Sequence, residues 1–404
     1  MIGETRMDQV TEQYEAYPYP DRDPADEARR LITGSPSHPL EIDHFVFGGR
    51  RDWSMPLRAL VAGGGTGDAL IQLAQIMAQA GKPCDITYVD LSTASRRIAE
   101  DRAAARGLEG MITFVTGSLL EVPGTGEFDY IDCCGVLHHL PDPAAGFAAL
   151  RAALAPGGGL GFMVYAPYGR SGVYPLQEAL GRLFGTLAPE ARLAAAREVM
   201  ARLPAGHPFN TNPNLGDHRD SDAGFYDLLL HSQDRAFDIP ALLSVLGAGG
   251  WELAGFTMPV LYDLGDLAPR PDGMDDEKAM AVAEMLRGTI KTHVGYAVAA
   301  GSGQTPASSR NRSLVPHLTG IEARPLAQAV AQGKAPQVTF NGMSGRLQLP
   351  VAAAPLIARV DGRHSLSEIF AASGTDPIGT GAVWSRVESV LTGWGLLRYS
   401  GLLR

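Results

Sequence analysis

The sequence predicts an α/β fold of the doubly wound kind, built on a seven-stranded, mostly parallel sheet. Three observations lead there: apolar strand-like runs alternate with helix-like segments, the first run ends in a turn of alternating glycines, and the second ends in an acid. A helical insertion and a C-terminal winged-helix-like domain complete the expected architecture.

The runs come in order. LRALVAG (57–63) is followed by a helix-like stretch from Asp68 to Gln79, ITYVD (86–90) by one from Ser92 to Arg106, and then comes MITFVTG (111–117). FDYIDCCG (128–135), a helix from about Asp142 to Leu154 and LGFMVYA (160–166) continue the pattern. Strands this continuously apolar belong to a parallel sheet covered on both faces. A helix-rich insertion at about 172–235 includes the loop HPFNTNPNLGDHRDSD (207–222), and strands at Trp251–Phe256 and His293–Ala299 close the sheet. Residues 1–56 form an arm and lid, 57–300 the sheet domain, and 301–309 a small, polar, solvated linker. From 310 to 404 the order is VAAAPLIARV, a turn, SLSEIF, a helix from Val383 to Trp394 and a terminal strand, which is winged-helix-like.

Composition bounds the function. With 404 residues, 45% of them hydrophobic, the chain can bury large cores, and its formal charge of −10 argues against nucleic acid as the main partner. Residues 310–404 carry an excess of basic residues, but the helix VWSRVESVLTGW (383–394) has one Arg against one Glu, too little to neutralise several phosphates. That segment reads as a protein-binding or dimerising module, so a homodimer is one expectation. Cys84, Cys133 and Cys134 give neither a disulfide framework nor a paired metal spacing, so no metal is expected. The polar opening MIGETRMDQV and the lack of a long apolar run predict no membrane segment and a cytoplasmic protein.

The turn VAGGGTGD (61–68) carries the chemistry. Gly63, Gly65 and Gly67 permit positive φ and close approach of a ligand to the backbone, while the following helix presents free N–H groups. A dinucleotide fingerprint would place its last glycine where Asp68 stands, beside the position of a pyrophosphate, which that carboxylate would repel. A phosphate-free, cationic cofactor meets no such objection. Asp90, at the end of the next strand, stands where an acid accepts both ribose hydroxyls; the competing reading is an N-cap, a role Ser92 can also fill.

Together, VAGGGTGD, YVDLS (88–92), VTGSLLEVP (115–123), FDYIDCCGVLHHLPDP (128–143) and LAPGGGLGFMVY (154–165) resemble the motifs of class I S-adenosylmethionine-dependent methyltransferases. The resemblance implies a Rossmann-like fold and S-adenosyl-L-methionine as cofactor. It places Gly63, Gly65 and Gly67 at the methionine end, Asp90 with Leu91 at the ribose, Ser118 and Leu119 at the adenine, and Gly135 on the same wall. Two positions depart from the pattern, because Val61 and Ser118 stand where acids are common.

QYEAYPYP (13–20), LLLHSQDRAF (228–237) and MLRGTIKTHVGYAVA (285–299) are similar to bacterial relatives of the rickettsial protein lysine methyltransferases. That likeness implies a protein side-chain amine such as lysine as acceptor, with a small-molecule metabolite or natural product, or a catalytically silent binding module, as alternatives. It makes Tyr14, Tyr17 and Tyr19 lid residues: Tyr14 toward the cofactor, Tyr17 toward catalysis and Tyr19 toward the substrate. Either they shield the sulfonium, or the arm simply packs for stability. His138 and His139 follow the fourth strand at the ligand-binding edge. His139 is a candidate proton acceptor and His138 a candidate substrate contact, or both fill a helix-entry turn. His231, Asp234 and Arg235 either bind substrate or form a buried ion pair that fixes the insertion.

Overall fold

The computed structural model describes residues 2–403 except 123–125, 266, 341–342 and 374–376, with side chains from residue 9 onward, 377 and 378 apart. Its large sheet contains β1 (Leu57–Ala62), β2 (Cys84–Asp90), β3 (Ile112–Thr116), β4 (Phe128–Cys134), β5 (Leu154–Tyr165), β6 (Trp251–Phe256) and β7 (Thr292–Ala299). The spatial order is β3-β2-β1-β4-β5-β7-β6, with β1 to β5 parallel and β7 antiparallel to both its neighbours. The seven expected strands all form. The order reverses between β1 and β4, which opens a crevice at their carboxyl ends.

The period-2 alternation of a strand builds the two layers. Leu57, Ala59 and Val61 of β1 join one core with the helices Asp68–Gln79 and Thr93–Ala105, while Leu60 and Ala62 join the other with Pro143–Ala152 and Ile239–Ala248. Helix starts are chemically marked: Ser92 caps the helix at Thr93 through the Ser95 N–H, and Asp142 caps the next with Pro143 at its first position. The insertion folds around its own core, formed by the helices Val173–Phe184, Pro189–Met200 and Asp222–Leu230.

Three features differ from the sequence reading. The first residues of the arm form a helix, Ile2–Ala16, before the chain extends through the Pro-rich part. Residues 301–309 keep Gly301, Ser302, Gly303 and Thr305 exposed but are also tied to the sheet domain: the Gln304 amide donates to the carbonyls of Val46 (3.0 Å) and Gly157 (2.9 Å), and the Ala307 N–H donates to the His44 carbonyl (2.7 Å). Beyond them, the strand Val315–Leu318 pairs with Leu397–Ser400, and a second antiparallel pair, Gln337–Phe340 with Met343–Arg346, precedes the last helix, Pro377–Gly393. In a winged helix that hairpin would follow the last helix.

The final strand also reaches back to the sheet domain. The Arg398 guanidinium, 1% exposed, bonds Glu41 (3.3 Å) and the Thr257 carbonyl (2.7 Å); Ser400 donates to Asp43 (2.6 Å); and Leu402 joins the core beneath β1 and β2. Among the described residues no helix is long and apolar enough to cross a membrane.

Candidate active site

A cavity of about 480 Å³ lies at the carboxyl ends of β1, β2, β4 and β5. The glycine turn forms its floor. Gly63 (φ +70°) and Gly65 (φ +51°) adopt left-handed backbone, and neither has room for a side chain: a Cβ on Gly63 would overlap Val136, and one on Gly65 would sit 2.8 Å from the Tyr19 carbonyl. Gly67 does a different job. It precedes the helix at φ +100°, where an added Cβ would lie 3.1 Å from the Ala99 side chain, and it is not among the cavity-lining residues.

Backbone donors hold the Asp90 carboxylate at the cavity wall. Its two oxygens accept the Gly65 and Ser92 N–H groups, each at 2.8 Å, which leaves about one further lone-pair site on each oxygen facing the cavity. Since Ser92 caps the helix, Asp90 is free of that duty. Burial pushes the Asp90 carboxyl above its usual range, partly offset by the backbone donors. Leu91, Ser118, Leu119 and Gly135 line the same cavity.

The arm roofs the turn. Thr66 donates to the Pro20 carbonyl (2.7 Å), Ser92 donates to the Tyr14 carbonyl (3.1 Å), and Arg22 clamps Asp68 at 2.9 and 2.6 Å. Against the upward push of burial, Arg22 and Arg102 hold Asp68 below the ordinary carboxylate range. Its charge is therefore compensated by protein, which weakens the pyrophosphate-repulsion argument made from sequence. Tyr14 and Tyr19 line the cavity, whereas Tyr17 stacks on Tyr226 (5.0 Å, 22°) outside it and is not placed for catalysis.

The other end of the cavity is polar and aromatic. Asp227 accepts hydroxyl hydrogens from Tyr14 (3.1 Å) and Tyr165 (2.9 Å), and burial raises its pKa. His139 lines the wall with Nδ1 at 2.9 Å from the Gln233 carbonyl and Nε2 at 4.0 Å from Asp227. His231 stacks on His139 (3.7 Å, 13°), and its Nδ1 accepts the Gln233 N–H at 3.0 Å. The neutral His231 ring therefore carries its proton on Nε2, directed at the Tyr14 oxygen 3.3 Å away. His139, Asp227 and His231 bring possible metal-ligand atoms within 4.8 Å of one another, but a protonated Nε2 is a donor and leaves His231 unsuited to ligation.

Four expected substrate contacts fall outside the lining: His231 sits behind Tyr14, and three others lie elsewhere. His138 is wholly buried against Tyr165 (3.9 Å) and does not line the cavity. Asp234 makes the buried-ion-pair alternative real, but with Arg170 (3.3 Å) and Gln177 (2.9 Å) as partners, not Arg235. Arg235 points outward over Phe237. Sequence reasoning missed Asp227, Tyr165, Arg170 and Lys291, all on the cavity wall. The available sign was the lone acid in the apolar run FYDLLL, at Asp227.

Known proteins share parts of this sequence and its fold. Residues 60–160 match a family model described as a methyltransferase domain. An uncharacterized protein of Synechococcus is 36% identical over 207 residues, 50% of this chain and 48% of that protein. The ubiquinone biosynthesis O-methyltransferase of Bordetella avium is 34% identical over 86 residues, 21% of this chain and 35% of that enzyme. The chain thus spans about half the length of the first relative and about a third of the second. PKMT2 from Rickettsia typhi, solved in complex with AdoHcy, superposes over 92% of this chain and 77% of its own with a TM-score of 0.63 and 13% identity, a likeness of fold. Residues 60–160 are thus similar to a methyltransferase domain, and the sheet that carries them has the fold of the AdoHcy-bound rickettsial protein.

Proposed function

We propose that the chain transfers the methyl group of S-adenosyl-L-methionine to an amine, with a protein lysine side chain as the acceptor class. The carrying observation is the division of one cavity into two chemistries. Gly63, Gly65 and Asp90 offer a backbone cradle and a ribose acceptor at one end, while Asp227, Tyr14, Tyr19 and Tyr165 surround the other with a carboxylate and aromatic rings. An ammonium is attracted by both.

Transfer is a direct displacement, so the chain's task is to align nitrogen, methyl and sulfur and to exclude water. The arm provides the exclusion, and the strand ends fix the alignment. The acceptor must first lose a proton; bringing a lysine from about 10.4 to near 7 corresponds to roughly 4–5 kcal/mol, and burial beside the cationic sulfonium supplies part of it.

One observation favours a small anionic acceptor instead. The Lys291 ammonium, also on the wall, has only the Asn214 carbonyl at 3.4 Å as a hydrogen-bond partner and no acid within ion-pair distance among the described residues. Incubation with methyl-labelled S-adenosylmethionine and fractionated lysate, followed by mass spectrometry, separates the two. Label on protein lysine supports the proposal, label on a small carboxylate replaces it, and absence of calorimetric cofactor binding leaves a silent binding module.

A further inference from the structure

Asp227 and His139 face each other across the acceptor end of the cavity, 4.0 Å apart, and neither is saturated. Each Asp227 oxygen accepts one tyrosine hydroxyl and retains a lone pair. The hydrogen bonds around His139 also fix its chemistry. Its Nδ1 meets a carbonyl, an acceptor only, so in the neutral ring Nδ1 carries the hydrogen and Nε2 presents a bare lone pair. Gln233 sets both histidines in opposite senses, through its carbonyl to His139 and its N–H to His231. The His231 Nε2–H supports the Tyr14 oxygen, and the Tyr14 hydroxyl in turn points to Asp227.

We infer that Asp227 anchors the acceptor's ammonium and that His139 Nε2 removes its proton before methyl transfer. The inference rests on the amine reading of the same cavity. An ammonium N–H bond breaks, the nitrogen keeps the electron pair, and the new bond is Nε2–H. The freed pair attacks the methyl carbon, the carbon–sulfur bond breaks, and its electrons pass to sulfur, giving S-adenosylhomocysteine and a methylated ammonium. Asp227 stabilises the imidazolium formed in between. His231, Tyr14 and Gln233 are positioning residues that fix the carboxylate and the tautomer.

The test is ¹⁵N NMR of the histidine-labelled full chain loaded with S-adenosylhomocysteine, titrated with n-butylamine as a lysine side-chain probe. His139 should show a protonated Nδ1 and a bare Nε2, and His231 the reverse. Butylamine should bind and perturb His139 Nε2, n-butanol should bind at least tenfold more weakly, and Asp227→Asn should lose at least tenfold in butylamine affinity. A hydrogen on His139 Nε2 in the neutral ring overturns the inference without recourse to any variant. So does binding of butanol as tight as that of butylamine, or no butylamine binding by cofactor-loaded protein. Failure to bind S-adenosylhomocysteine at all would instead remove the methyltransferase reading.

Discussion

Asp90→Asn tests the proposed ribose contact. The carboxylate has about four acceptor sites, and the Gly65 and Ser92 N–H groups use two. Two remain for two ribose hydroxyls. The amide preserves volume but removes the charge and turns an NH₂ toward one of the two backbone donors. Hydrogen bonds to charged groups contribute about 1.5–3 kcal/mol against about 0.5–1.5 for neutral ones, so the expected loss is about 2–3 kcal/mol, or roughly 30- to 150-fold in Kd. Calorimetric titration with S-adenosylhomocysteine reads it, with a thermal melt to confirm folding. Burial raises the Asp90 pKa, so wild-type affinity should also fall as pH drops toward that raised value, while the variant stays flat. A folded Asp90→Asn protein within threefold of wild type would refute the ribose assignment.

Gly65→Ala forces a side chain into left-handed backbone and against the Tyr19 carbonyl, so we expect a stability loss of about 1–2 kcal/mol in urea melts together with weaker cofactor binding. Burial lifts Asp132 to about 6 even though Ser37 and Tyr130 donate to it. The neutral acid is the form the fold prefers, so its stabilisation is complete below the unfolded carboxyl range near about 4 and is lost as pH rises through about 6. Asp132→Asn mimics the neutral acid and should gain on wild type by about 2–3 kcal/mol between about pH 4 and pH 7; parallel urea-derived stability profiles would count against it. Arg398→Met leaves the Glu41 carboxylate buried without its cation, for a cost of about 3–5 kcal/mol, much of it restored by adding Glu41→Gln.

The sheet was legible because its signals are local. Each of β1 to β5 is an apolar run ended by a turn or a capped helix, and the glycine turn and Asp90 needed only their spacing and position. The proposed acceptor end was legible only in part: Tyr14 and His139 stood out, but Tyr165 at the end of β5 and Asp227 from the insertion did not, because only folding brings these distant segments together. Nothing in LLLHSQDRAF distinguishes His231, which supports Tyr14, from Arg235, which leaves the site for solvent; only the packing of the insertion decides. The attachments of the linker were hidden for a related reason. A small polar composition fits a solvated tether and equally an irregular segment whose Gln304 and Ala307 complete backbone bonds of neighbours.

The bond from Ser400 to Asp43 joins groups 357 residues apart, and Leu402 fills the core beneath β1. During synthesis the layer under the glycine turn stays incomplete until that late segment has left the ribosome, however early the strands themselves pair. Support for the turn then waits on residues 397–402, and ribosome-stalled chains that stop short of them should be captured by chaperones instead of binding nucleoside.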